Sequence, residues 1–279
     1  MDGSIVSIDW PRHPRVQALC TTRLGGFSAA PFDSFNLGDH VGDAPAAVAH
    51  NRSRLAALLT GVGRPVRPVF LKQVHGSEAI VLSAQTPDGS VADAAVATQP
   101  GLACTVMVAD CLPILLATDD GQAVAAVHAG WRGLKNDVIE NSIKKLAVIS
   151  DKPPENSAIE NKSNIYKNIS VWLGPCIGNG FFEVGAEVVD AFVSGDSTAL
   201  EHFRAMPGRD GKWLADLAGL ARQRLLRAGV TRIHGNDGSP AWCTAGRRSM
   251  FFSHRRDGSV GPGGVGGTGR FAACVWLDR

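Results

Sequence analysis

The chain has 279 residues, 44% of them hydrophobic and 19% charged, and 28 Lys and Arg against 26 Asp and Glu give a formal net charge of +2. That composition describes a globular chain with ample core material, and so even a charge balance offers no electrostatic footing for nucleic acid or an anionic membrane surface. The opening MDGSIVSIDWPRHPR lacks a basic stretch followed by an apolar one, and no apolar run approaches the roughly 18–20 residues of a membrane helix, so a cytoplasmic protein is expected.

In chain order, the first strand-like run is VQALCTTR, which leads into TTRLGG and places Arg23 before paired glycines. SFNLGDHVGD then puts Asn36 in a turn. A helix is predicted over 43–60, with Asp43 as its cap and Pro45 in its first turn. The runs PVFLKQVHG, EAIVLS, ACTVMVADC, LPILLAT and AVAAVHAG follow, all of strand length. After the Gly-Trp-Arg-Gly turn that holds Arg132, a further helix is predicted, with Val138, Ile139, Ile143 and Leu146 on one face.

Composition then shifts: six of the eight lysines and six of the ten asparagines fall between residues 135 and 169. Within this stretch, 151–168 reads as an inserted polar loop. The strand ISVWLG delivers Cys176 in the turn GPCIG. A helix over 213–228 is predicted from the spacing of Leu214, Leu217, Ala218, Ala221 and Leu225, with Gly229 closing it. SHRRDG carries Arg255 and Arg256, the glycine-dense 258–269 reads as a flexible loop, and FAACVWL is the last strand. Strands mixed with helices, without regular alternation, predict an α/β fold: one domain over 1–279, with a mixed sheet flanked by helices.

The six cysteines (20, 104, 111, 176, 243 and 274) form no CxxC pair and read as reduced thiols, most of them buried. Cys111 differs because it shares a pattern with two histidines. His75 closes VFLKQVH, Cys111 follows TVMVAD, and His128 closes AVAAVH. If these strands are neighbours, the three side chains converge on one rim. Two imidazoles and a thiolate suit zinc, and three protein ligands leave the fourth position of a catalytic site open. Against this, a single strand-end histidine is more often a hydrogen-bonded residue at the edge of a core, and the spacings match no compact zinc finger. Asp110, Arg132, Arg23, Asn36, Cys176 and Arg255 share the preference for strand-to-turn junctions, where sites concentrate.

The strings TTRLGGFS, FNLGDHVGD, LKQVHG, ADAAVAT, VMVADCLPILL, AVHAGWRGL, WLGPCIG, FEVG and CTAGRRSMFFSHRRDG, with a later GR, resemble the YfiH-like, laccase-domain family. Its members are variously called polyphenol oxidases, purine nucleoside phosphorylases and peptidoglycan editing factors. The resemblance runs from about residue 20 to 271 and implies a zinc site of His75, Cys111 and His128. It also implies phosphorolysis of adenosine, inosine and methylthioadenosine, with deamination of adenosine. The partners would then be a small-molecule nucleoside and phosphate, with Asp110 as acid/base or as an orienter of the ligands, and Arg132 and Arg23 as phosphate or ribose anchors. Asn36, Cys176 and Arg255 are further substrate-binding candidates.

The chain departs from the family at Asn179-Gly180-Phe181-Phe182, where relatives commonly carry further Cys and Tyr, and at His254, where Tyr is common. Three other functions stand beside the phosphorylase. One is an amidase with Cys111 as nucleophile, acting on a serine-containing cell-wall precursor. Another is a copper oxidase, which the remaining six histidines, none in a paired H-x-H spacing, do little to support. The last is a structural zinc protein.

Overall fold

The computed structural model describes residues 3–59, 65–150, 168–258 and 267–278. Strands β1 (Ile5–Val6), β2 (Val16–Thr21), β3 (Arg67–Lys72), β4 (Ala79–Val81) and β5 (Ser90–Val91) come first. They are followed by β6 (Ala94–Ala97), β7 (Leu102–Val108), β8 (Leu112–Thr118), β9 (Val124–Ala129) and β10 (Ile169–Leu173). The last five are β11 (Glu183–Gly185), β12 (Phe203–Ala205), β13 (Lys212–Ala215), β14 (Arg232–Gly235) and β15 (Phe271–Leu277). The helices are α1 (Pro45–Leu58), α2 (Trp131–Lys135), α3 (Val138–Ser150), α4 (Ala186–Val193), α5 (Leu217–Arg227) and α6 (His254–Asp257).

These strands build two six-stranded sheets, in the orders β1-β2-β15-β7-β3-β5 and β14-β10-β8-β9-β6-β4, and a small sheet β11-β13-β12. Both large sheets are mixed: β3 runs parallel to β7 and β5, and β10 parallel to β14, among antiparallel neighbours. The two sheets stack face to face. Between them, Cys104, Val106, Val108 and Ala273 meet Ala95, Leu115, Ala126 and Trp172. The outer face of the first sheet packs Phe70, Met107 and Trp276 against Leu55 of α1. The outer face of the second packs Ile114, Leu116 and Val127 against Ile139, Ile143 and Leu146 of α3 and Leu217, Ala221 and Leu225 of α5.

The expected mixed α/β fold with flanking helices is therefore present, with the sheet doubled. The reason lies in the strand sequences. Every residue of β7, β8 and β9 is buried, and a run buried on both faces reads the same whether its cover is a helix or another sheet. Each Val or Leu there contributes about 1.5–3 kcal/mol of burial. The alanines of the inter-sheet layer let the sheets approach closely, because they add little volume.

Two helix boundaries differ from expectation. Ala44, not Asp43, precedes α1, and the helix has no side-chain cap; Asp43 accepts instead from its neighbour Ala44 N–H (2.7 Å) and from Asn36 Nδ2 (2.9 Å). The helix expected from 213 begins at Leu217, where the Asp216 carboxylate caps it through Gly219 N–H (2.9 Å). Leu214 lies before that cap, on β13, because Lys212–Ala215 pairs with both β11 and β12. Of the two expected loops, 151–168 falls outside the described residues except for Asn168, and 258–269 except for Gly258 and 267–269.

Candidate metal centre

The chain crosses from the first sheet to the second at residues 73–78, between β3 and β4, at 92–93, between β5 and β6, and at 109–111, between β7 and β8. Because β3, β5 and β7 run parallel, all three crossings leave the first sheet at the same end. The carboxyl end of β9 reaches the same rim, since His128 pairs with Pro113 and Ala129 with Leu112. His75 and Cys111 thus come from two crossings between the sheets, and His128 from a second-sheet strand. Asp110 takes the left-handed conformation (φ 90°) that lets the backbone reverse there, and His75 does the same in its own turn (φ 60°).

The three donor atoms lie within 4.8 Å of one another. Cys111 Sγ is 3.7 Å from His75 Nε2, and the two imidazole rings meet edge to face with centroids 4.8 Å apart. A tetrahedral metal site with ordinary Zn–N and Zn–S bonds has an N···S edge of about 3.6 Å, and the His75–Cys111 edge matches it. Gly130 makes room for it: a Cβ there would stand 3.0 Å from both Cys111 Sγ and His75 Cδ2.

Asp93 organises the cluster. It is fully buried at the crossing between β5 and β6, and its Oδ1 accepts from His128 Nδ1 at 2.8 Å. That bond fixes the ring and leaves Nε2 as the nitrogen available to a metal. The same carboxylate accepts backbone N–H from Val74 (3.2 Å), His75 (2.9 Å) and Gly76 (2.7 Å). One buried charge therefore positions two of the three ligands, and those four donors are what make its burial tolerable. Gln73 braces the turn further, since its side chain donates to Met107 O and accepts from Met107 N, both at 2.8 Å.

Burial alone raises the Cys111 thiol, but the charges and hydrogen bonds of His128 and His75 outweigh it and bring the thiol down to about 6. Burial likewise disfavours protonated His128, yet Cys111 and Asp93 push it up to about 9. The pair is thus a thiolate beside an imidazolium, a state in which one cation can replace a proton. Burial raises Asp93 too, and the bonds from His128 and the 74–76 backbone more than reverse it, so its carboxyl lies below the usual range.

The triad sits in a cleft of about 750 Å³. Phe70, Leu71, Met107, Ile177, Phe182 and Leu217 supply apolar walls, and His40, Arg52, Lys72, Arg132, His254, Arg255 and Arg270 supply polar ones. Three of the other residues singled out from the sequence reach this cleft. Asp110 does so with its carboxylate already engaged, by Thr244 Oγ1 (2.6 Å), Ser253 Oγ (3.0 Å) and Arg255 N–H (2.6 Å). These contacts tie the 244–255 segment to the rim; they do not reach His75, Cys111 or His128, so they are not the expected orienting of the ligands. Arg132 lies exposed over the Trp131 ring at 4.5 Å. Arg255 donates to the carbonyls of Phe181 (3.2 Å) and Glu183 (2.8 Å).

Three do not reach it. Arg23 is buried, donates to the carbonyls of Asp33 (2.7 Å) and Arg248 (3.3 Å), and pairs with the Asp33 carboxylate at 3.2 Å. Its guanidinium holds the protein's own loops, which corrects its expected role as a phosphate anchor. Asn36 is fully buried and ties Gly38, Asp43 and the Arg270 backbone together, so it is no substrate contact. Cys176 is buried against Asn236 Nδ2 (3.4 Å), and burial pushes its thiol well up, which removes it from the same list. Sequence reasoning missed Asp93, Arg270 and His40. Asp93 left one signal: a carboxylate inside VADAAVA, a run otherwise apolar enough to be buried.

A family model described as multi-copper polyphenol oxidoreductase laccase matches residues 17–278. The chain is 44% identical over 272 residues to a purine nucleoside phosphorylase of Pseudomonas aeruginosa, covering 97% of each chain. It is 42% identical over 275 residues to the purine nucleoside phosphorylase YfiH of Escherichia coli, covering 99% of each. Among solved structures, a Neisseria meningitidis protein of the DUF152 family superposes with a TM-score of 0.83 at 38% identity, covering 99% of this chain and 100% of that one. A Bacillus licheniformis protein titled YfiH gives 0.79 at 26% identity, over 94% of this chain and 93% of that one.

Proposed function

The chain belongs to the YfiH-like, laccase-domain family, and from that membership we propose that it is a zinc-dependent purine nucleoside phosphorylase. The observation that carries this reading is the convergence of His75, Cys111 and His128 on a cleft with apolar walls and several guanidinium groups. The relatives' names support the substrate class, a purine nucleoside; adenosine, inosine and methylthioadenosine as the particular nucleosides, and deamination of adenosine as a second activity, are part of the proposal. A zinc held by the triad supplies a Lewis acid with one coordination position left for substrate.

The protein's own residues do the positioning. Asp93 keeps His128 in one tautomer and holds the His75 turn in place. Asp110 fixes the backbone of Arg255 at the cleft wall. Trp131 and Phe182 offer faces against which a purine can pack. In the reaction, a phosphate oxygen bonds to C1′ of the ribose as the C1′–N9 bond breaks, and the base leaves with the electron pair. The described residues contain one three-donor cluster, whereas laccase chemistry needs several coppers, so oxidation of phenols is not the reading adopted here.

The test is metal analysis of the purified protein, with a nucleoside panel assayed with and without phosphate. Phosphate-dependent release of base, lost in Cys111→Ala and His128→Ala, is the expected result. Wild-type turnover in both variants would sink the reading.

One observation favours a second reading. A thiol held near 6 beside two imidazoles is also an activated nucleophile, as an amidase acting on a serine-containing cell-wall precursor would require. Amidase activity that survives chelation of the metal would select it.

A further inference from the structure

The proposed reaction needs two ligands in one cleft, a nucleoside and a phosphate, and the guanidinium groups around it are not equivalent. Arg52 is already used: it donates to Leu37 O (3.0 Å), pairs with the Asp39 carboxylate (3.1 Å) and stands over the Phe70 ring, 4.1 Å from its centroid. Arg255 donates to two carbonyls. Arg132 stands in solvent at the mouth, where water competes for an anion.

Arg270 differs from all three. It is partly buried on the cleft wall and has no carboxylate within 4.0 Å among the described residues. One terminal nitrogen donates to the carbonyls of Thr268 (2.8 Å) and Gly269 (3.2 Å), which aim the group and leave Nε and the second terminal nitrogen unspent. Gly38 gives its stem passage, since a Cβ there would fall 2.8 Å from Arg270 Cγ. Arg270 lines the same cleft as Cys111, Asp110 and His40, close enough to feel the charges of Cys111 and Asp110 and for His40 to feel Arg270 and Arg52. Of the two carboxylates that line the cleft, Asp39 is taken up by Arg52 and His40 (3.5 Å), and Asp110 by Thr244, Ser253 and the Arg255 N–H.

We propose that Arg270, with His40 beside it, forms the oxyanion subsite of the cleft and holds inorganic phosphate next to the metal triad. This rests on the phosphorylase reading for the identity of the anion. Two free N–H groups of one planar guanidinium match two oxygens of a tetrahedral anion. From that position a phosphate oxygen bonds to C1′ as the C1′–N9 bond breaks. The electron pair passes to the purine nitrogen, and the proton of the hydrogen phosphate ends on the released base. The apolar wall of Met107, Ile177 and Phe182 is left for the base.

Calorimetric titration of inorganic phosphate into the metal-loaded protein tests this, alongside KM for phosphate and for nucleoside. In Arg270→Gln, phosphate affinity falls about tenfold to a hundredfold, the cost of charge-assisted hydrogen bonds, and KM for phosphate rises while that for nucleoside does not. Arg270→Lys keeps the charge but not the fork and is intermediate. His40→Gln, on an exposed loop, guards against a folding artefact and weakens phosphate binding without lowering the melting temperature. Phosphate affinity retained in both Arg270 variants, or lost only in Arg132→Gln, overturns the subsite and leaves the phosphorylase reading standing. Phosphate bound through Arg270 by a protein that cleaves no nucleoside upholds the subsite and removes the reading instead.

Discussion

The rim that carries His75, Cys111 and His128 and the junctions that carry Arg23, Asn36 and Cys176 give the same kind of signal: polar residues where strands turn. In the folded chain they have opposite fates. Arg23, Asn36 and Cys176 are buried and spent on the protein's own backbone and side chains. The triad keeps its donor atoms directed at one another, and the carboxylate that steadies it, Asp93, comes from elsewhere in the chain. Position at a junction thus selects candidates, and saturation of their hydrogen-bonding capacity decides between scaffold and site.

Four substitutions or treatments break or sharpen that contrast. The largest effect belongs to the ligands. His128→Ala or Cys111→Ala abolishes metal content and lowers phosphorolysis by roughly a thousandfold, the several kcal/mol a Lewis acid supplies at a transition state, as metal analysis and steady-state rates would report. Next is Asp93→Asn, which leaves all three ligands in place but weakens metal affinity about tenfold to a hundredfold, measured by competition with a chelator. If Asp93 mattered only for folding, affinity in the folded protein would not change.

Arg23→Gln gives the mirror image. It lowers stability by about 2 kcal/mol through lost charge-assisted hydrogen bonds, read from denaturant midpoints, and leaves KM for both substrates unchanged. A raised KM for phosphate would return Arg23 to the site.

The smallest effect separates the thiols. In metal-free protein Cys111 reacts with iodoacetamide while Cys20, Cys104, Cys176 and Cys274 do not, because burial pushes those four up and the two histidines bring Cys111 down to about 6. The thiolate is the reactive form and persists above that value. Lowering the pH from 8 to 6 therefore slows Cys111 only about twofold, against roughly a hundredfold for an ordinary thiol, and the reaction fades below pH 6. Bound metal protects it throughout.

Much of this arrangement was readable before the fold was known. The strand runs and the buried face of α3 lie where periodicity put them, and His75, Cys111 and His128, which strand-end position offered and the family resemblance singled out, come together at one rim. What escaped did so for physical reasons. The doubled sheet escaped because TVMV and AVAAV are buried on both faces, and composition does not name the cover. The start of α5 escaped because Lys212–Ala215 continues the helical spacing but is claimed by two neighbouring strands. Asp93 and Arg270 escaped because their importance comes from contacts made across long stretches of chain, 35 residues from Asp93 to His128.

The crossing of the chain between sheets has a mechanical consequence. His128 is anchored to one layer of the sandwich, while His75 and Cys111 sit on links that run to it from the other, so the bite of the triad works as a vernier on the alignment of the layers. A slide of one sheet over the other by a fraction of an ångström changes every donor separation at once. A bulkier side chain in the alanine-lined gap, at Ala126 or Ala273, is thereby felt at the metal without touching the cleft.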